Sequence, residues 1–253
     1  MKIISIMTEK GGVGKTTTTI HLGGAFAIKG KKTLLIDFDT QADLTTGFKI
    51  EDDFDYSIYN FLNEDFEGFT LCKKSDNLYI LAGKTEIGSL DFKRDFLSKN
   101  IQSFENYGFE YVVIDCPPSS IIESKLGLGE ISLCASDYVL SPITAEQFAI
   151  KGINKLLPSI ERIKKDHNSK LIFLGFFFNQ VSELTLNFKK YYRLANEEVP
   201  DDLLKSYVRK DMAFTRAIEA GDVVFKTEPK SRASIDFNNL VEEIILKIEE
   251  NEK

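Results

Sequence analysis

No apolar run in this sequence approaches the ~18–20 residues that a membrane-spanning helix requires; the longest, 171–178, has the length of a buried strand. The opening "MKIISIM" lacks the basic segment, long apolar stretch and cleavage site of a secretory signal. Cysteine is sparse: Cys72, Cys116 and Cys134 form no CxxC pair. That spacing excludes a zinc ribbon and, with no export signal, predicts a reducing, cytoplasmic setting. No repeat, low-complexity tract or Pro/Gly/Ser-rich linker divides the chain, so residues 1–253 are expected to form a single domain. Within it, 49–76 reads as an irregular, acidic insertion with short helices.

What is present suits a soluble α/β protein: 43% hydrophobic and 28% charged residues. The net charge of −7 argues against a surface coated by nucleic acid, yet says little about a local patch. From Lys189 to Arg232, ten basic residues face eight acidic ones, a local balance of +2. The tail "EEIILKIEENEK" is acidic.

Strand-length apolar runs fall at 3–7, 33–37, 78–82, 111–115, 138–142 and 170–179. They are continuous rather than alternating, as in strands covered on both faces. Helical spacing marks 15–29, 91–105, 145–165, 183–197 and 234–250, the last through Ile235, Leu240, Ile244, Ile245 and Ile248. Alternation of this kind predicts an α/β fold, a mostly parallel twisted sheet with helices on both faces.

The stretch "EKGGVGKTTTT" (9–19) carries the chemistry. A phosphate loop reads Gly, four residues, Gly-Lys-Ser/Thr. Gly14, Lys15 and Thr16 supply its end, but position 9, where its first glycine belongs, is Glu9, followed by Lys10. Gly11, Gly12 and Gly14 let the backbone wrap a phosphate with amides inward. Lys15 places a cation on the β- and γ-phosphates, and the Thr16 hydroxyl suits Mg²⁺. A strand before and a helix after the loop complete the anion site. Parallel strands end at one edge, so the acids closing "TLLIDFDT" (Asp37, Asp39) and "YVVIDCPPS" (Asp115) converge on it.

Together "KGGVGKTT", "LLIDFDTQADLT" and "VVIDCPPS" resemble the three motifs of the ParA partition ATPases, P-loop NTPases of the deviant Walker A class that also holds MinD and the nitrogenase iron protein. "SPITAEQFAIKGINKLL", "LGFFFNQ" and "YVRKDMAFTRAIEAGDVV" follow in the family's order. The resemblance implies ATP and Mg²⁺ as cofactors. ATP is held by Gly11, Gly12, Val13, Gly14, Lys15, Thr16 and Thr17, with Asn179 on the adenine. Lys10 reaches across a homodimer to the partner's phosphates, which answers why the loop exchanges a glycine for a second lysine. Asp39 positions the attacking water, Asp37 supports Mg²⁺ from behind, Asp115 holds a magnesium-bound water, and Thr16 ligates the ion. The family usually reads Asp-x-Asp-Pro-Gln; Thr40 stands for the proline, which predicts a looser backbone beside Asp39. Cys116 is read as a small buried side chain rather than a nucleophile.

ParA proteins bind DNA without sequence preference when ATP-bound, through basic residues in the C-terminal part. The matching candidates are Arg209, Lys210 and Arg216, with Lys189, Lys190 and Arg193 as a second cluster. The resemblance further implies slow hydrolysis stimulated by a ParB-like or adaptor protein, a nucleoid-associated location, and segregation of a plasmid, chromosome or other cargo. The chain begins at the strand before the loop, so no N-terminal helix-turn-helix domain is expected. Three alternatives make different demands. A MinD-like membrane switch needs a basic amphipathic tail, whereas Glu242, Glu243, Glu249, Glu250 and Glu252 occupy polar positions here, so no membrane partner is expected. A reductase needs bridging cysteines for a cluster. A metabolic P-loop ligase has no need of Lys10.

Overall fold

The computed structural model describes residues 1–51, 54–118, 126–146 and 149–253. Its strands are β1 (Lys2–Ile6), β2 (Thr33–Asp37), β3 (Cys72–Ser75), β4 (Leu78–Leu81), β5 (Tyr111–Asp115), β6 (Tyr138–Ile143) and β7 (Ile172–Phe178). Its α-helices are α1 (Lys15–Ile28), α2 (Asp43–Gly47), α3 (Ile58–Leu62), α4 (Phe96–Asn100), α5 (Leu128–Cys134), α6 (Ala149–Asp166), α7 (Leu186–Glu198), α8 (Met212–Ala220), α9 (Val224–Thr227) and α10 (Arg232–Asn251). The strands form one sheet in the order β3-β4-β2-β5-β1-β6-β7. Every pairing is parallel except β3 with β4. The expected architecture is therefore present, with one antiparallel edge strand added.

Successive strand residues point to opposite faces, and each face has its own core. Ile3, Leu34, Val112, Ile114 and Val139 join one apolar cluster with residues of α5 and α6. Ile4, Leu35, Val113, Leu140 and Phe177 join the other with residues of α1, α8 and α10. Chain connections leave β1 for β2 on one side and run from β6 to β7 on the other, so a crevice opens at the carboxyl end of β1.

Several expectations need correction. Residues 49–76 are not merely an irregular insertion: Ile50, Tyr56, Ile58, Phe61 and Leu62 are buried, and β3 closes the sheet. The helix expected over 91–105 is only one turn of α-helix, α4, followed by a 3-10 helix, Ile101–Tyr107. Three residues per turn align Ile101 with Phe104, and both are buried. Helix α10 starts earlier than expected and buries Phe237, Leu240, Val241, Ile244 and Ile248, whereas Ile235 is half exposed.

Both sheet edges are covered or cut short. β3 is four residues long, carries Lys73 and Lys74, and its pairing is interrupted by a register shift. Along β7, the Phe176 N–H donates to the Asp202 carbonyl at 2.7 Å and the Leu204 N–H to the Phe176 carbonyl at 2.8 Å. Gly175 permits this approach: its φ is +132° and any Cβ would stand 2.6 Å from the Asp202 oxygen.

Candidate functional site

The phosphate loop leaves β1 and turns directly into α1. Gly12 and Gly14 have φ of +76° and +89°, and a Cβ on Gly14 would collide with the Asn179 amide. No side chain caps the first turn of α1, so its N–H groups remain available to an anion. A cavity of about 400 Å³ lies over this turn, lined by Gly11, Gly12, Gly14, Lys15, Thr16, Thr17, Asp39, Gln41, Asp43, Pro118 and Gln180. Lys15 is 7% exposed. Lys10 turns the other way, onto the carboxylate of Glu146 beyond β6, while Glu9 pairs with Lys155 of α6 at 3.5 Å.

Register explains the acids: Asp37 and Asp115 are Cα partners across the β2–β5 ladder, with Asp39 two residues on. Asp37 is fully buried and accepts from the Thr45 N–H (2.9 Å) and hydroxyl (2.6 Å). Burial nevertheless raises its carboxyl to about 6. Asp115 is pushed well above the usual carboxylate range, first by burial and then by the Asp37 charge. Its Oδ2 is buried without a hydrogen-bond partner among the described residues. A buried, orphaned carboxylate oxygen beside two further acids and the Thr16 hydroxyl fits a hard divalent cation. Among the described residues no three His, Cys, Asp or Glu side chains form a metal cage by themselves; Mg²⁺ ordinarily keeps waters and phosphate oxygens in its shell. Beside Asp39, the turn is closed by the Gln41 N–H on its Oδ1 (3.1 Å) and the Ala42 N–H on its carbonyl (3.0 Å). These bonds tie the backbone on the far side of Thr40 to Asp39. Cys116 is buried, and burial pushes its thiol up to about 12, as expected of a packing residue.

A second cavity of about 200 Å³ adjoins the first and shares Thr17 and Gln180 with it; Asn179, Arg209, Lys210, Asp211, Met212, Phe214 and Thr215 complete it. Asn179 donates to the Val13 carbonyl at 2.9 Å and accepts the Gln180 N–H at 2.9 Å. Gln180, held at φ +55°, donates to the Gly12 carbonyl at 3.0 Å. Thr45 and Gln180 also belong to this site, although neither is among the residues that the motifs single out. Each closes a motif, Thr45 that of the second strand and Gln180 that of the last, and Gln180 becomes relevant only when β7 ends beside the loop.

The basic candidates divide. Lys189, Lys190 and Arg193 are exposed along α7, with Arg193 near Glu197 at 3.7 Å. Lys210 is exposed at the second cavity. Arg209 and Arg216, in contrast, are each committed to carboxylates: Arg209 to Asp236 and Glu183, and Arg216 to both oxygens of Glu228 at 2.6 and 2.8 Å. Neither guanidinium stands as a bare cation, so the expected Arg209–Lys210–Arg216 cluster does not form as one free patch.

A parallel sheet with a glycine loop between β1 and α1, and acids at the ends of β2 and β5, defines a P-loop nucleoside triphosphatase. Residues 1–173 match the AAA domain family AAA_31. The chain is 29% identical to the sporulation initiation inhibitor protein Soj of Bacillus subtilis, covering 96% of this chain and 98% of that one. It is 31% identical to a ParA family protein of Chlamydia muridarum, over 97% and 98%. A putative plasmid partition protein of Borrelia burgdorferi, solved bound to AMPPNP, has the same fold at a TM-score of 0.79 and 24% identity, over 97% of this chain and 98% of that one. The chain belongs to the ParA-type partition and positioning ATPases.

Proposed function

We propose that this chain is a Mg²⁺-dependent ATPase that works as a nucleotide-gated dimer and binds DNA without sequence preference when ATP-bound. Hydrolysis would be slow until a ParB-like or adaptor protein engages it. The first cavity takes the phosphates, on the backbone of 11–17 and the Lys15 ammonium. The second takes the nucleoside, with Asn179 at their junction. Bound magnesium, held by Thr16 and Asp115 with Asp37 behind, would offset charge on the β- and γ-phosphates. Asp39 lines the phosphate cavity and is the residue to orient a water on the γ-phosphate.

The observation that carries the dimer reading is the direction of Lys10. It stands on the rim, bonded to Glu146, with its side chain 43% exposed. A lysine turned away from its own phosphate cavity suits a cation lent in trans, by the logic of an arginine finger. For the DNA face we assign Lys189, Lys190 and Arg193, with Lys210 nearer the nucleotide. Two copies double the phosphate contacts, and affinity rises steeply with their number. The membrane alternative loses support because the apolar stripe of α10 is buried against α1 and β7.

Sedimentation of the full chain with ATP, ADP or no nucleotide, with and without DNA across a salt series, tests the reading. ATP should produce a dimer that is retained by DNA and released by salt, and Lys10→Ala should abolish both. Brisk hydrolysis by a monomer at every concentration, or DNA retention indifferent to nucleotide, would overturn it. Unimpaired turnover by Lys10→Ala would favour a metabolic ligase.

A further inference from the structure

The nucleoside cavity is walled by a segment with no regular structure of its own, residues 208–211, laid along the end of β7. The Val208 N–H donates to the Phe178 carbonyl (2.8 Å), the Val181 N–H to the Val208 carbonyl (2.9 Å) and the Lys210 N–H to the Val181 carbonyl (2.9 Å). The Arg209 N–H instead donates to Asp236 Oδ2 in α10 at 3.1 Å. The Arg209 side chain grips the same carboxylate with both arms of its fork, Nε to Oδ2 at 2.8 Å and a terminal nitrogen to Oδ1 at 2.6 Å. Its other terminal nitrogen reaches Glu183 at 3.2 Å. Asp236 has only 7% of its side chain exposed, so without Arg209 it would be a buried charge with little compensation. Arg232 supports the next residues, donating to the Lys210 carbonyl at 3.1 Å and pairing with Asp211 at 3.4 Å. Asp211 in turn caps α8 through the Ala213 N–H at 3.0 Å.

We propose that Arg209 is a positioning residue of the nucleotide site: clamped on Asp236, it fixes the 208–211 wall against which the nucleoside half of ATP is held. It acts through the backbone of that wall and is not a contact for a polyanion. The proposal rests on reading the two adjoining cavities as one nucleotide site. The phosphate half depends on α1 and the loop 11–17, and among the described residues no hydrogen bond or ion pair joins these to Arg209 or Asp236, so the two halves should respond separately to the loss of the clamp.

Magnesium tripolyphosphate has the phosphates of ATP without base or ribose, and separates the halves. Affinities of the full chain for Mg·ATP and Mg·tripolyphosphate are measured by displacement of a fluorescent ATP analogue, beside DNA retention at saturating ATP. Arg209→Gln should weaken ATP on the order of tenfold while tripolyphosphate changes by less than about twofold, since a bidentate charged pair is lost at one lobe only. Arg209→Lys keeps the charge without the fork and should also weaken ATP selectively. Arg232→Gln leaves the clamp in place and should weaken ATP by about threefold, the effect of one bond to the Lys210 carbonyl and one exposed ion pair with Asp211. It serves as the reporter if Arg209→Gln does not fold. Equal losses for both ligands in the folded variants, or intact ATP affinity with lost DNA retention, would overturn the proposal alone. A wild-type chain that binds ATP no more tightly than tripolyphosphate would instead overturn the nucleotide-site reading beneath it.

Discussion

The two lobes of the proposed nucleotide site are built in opposite ways. The phosphate lobe comes mostly from consecutive residues, 11–17, whose geometry is set by glycine φ angles and the start of one helix. The nucleoside lobe gathers Thr17, residues 179–180, 209–212 and 214–215, fixed by the Asp236 carboxylate of α10 on Arg209 and by Asp211 capping α8. Local construction gives a lobe hard to disturb from a distance. Assembled construction gives one that depends on side chains touching no ligand.

Variants can break or sharpen that contrast. The largest loss belongs to Lys15→Ala, which removes the cation of the local lobe. Phosphate release should fall on the order of a thousandfold, with the melting temperature little changed. Asp39→Ala should lower turnover about a hundredfold and leave ATP binding intact, so that ATP-bound dimer accumulates in sedimentation. Asn179→Ala is the link between lobes. Losing its bond to the Val13 carbonyl should weaken ATP about tenfold and, unlike Arg209→Gln, weaken tripolyphosphate as well.

The smallest effect on turnover at neutral pH should come through His21, on the buried side of α1. Its Nδ1 accepts the Val224 N–H at 3.3 Å, and its ring packs against Phe214 and Phe237. Burial lowers its pKa from 6.5 to about 3. As pH falls below 6.5, the unfolded chain takes this proton first, so the contribution is complete above that pH and lost towards 3. The acid limb of the stability curve should carry a slope of roughly 1.4 kcal/mol per pH unit from this group. His21→Phe should flatten it in urea titrations between these values. A limb unchanged in that variant would mean that His21 is not the group responsible.

The same contrast explains what was legible in the sequence. The loop, the strand before it and the acids of β2 and β5 are local patterns, and they appear where the sequence puts them. Five of the six expected strands lie within a residue of their observed bounds at both ends, because a buried parallel strand is an unbroken apolar run. β3 escaped because "CKKS" has no apolar run. Arg209 and Lys210 are adjacent and equally basic in sequence. Only the folded chain brings Asp236 and Glu183 to one of them, so tertiary contact alone separates a clamp from an exposed cation.

The bridges that residues 202–209 make to the outer side of β7 reach beyond the nucleotide. With that flank occupied, and the opposite one reduced to a short lysine-bearing strand, no long run of unpaired amides among the described residues invites a neighbouring molecule to extend the sheet. Strand-to-strand fibre growth is thereby discouraged at either flank. Copies that meet are steered towards side-chain surfaces, the kind of contact that the proposed nucleotide-gated dimer requires.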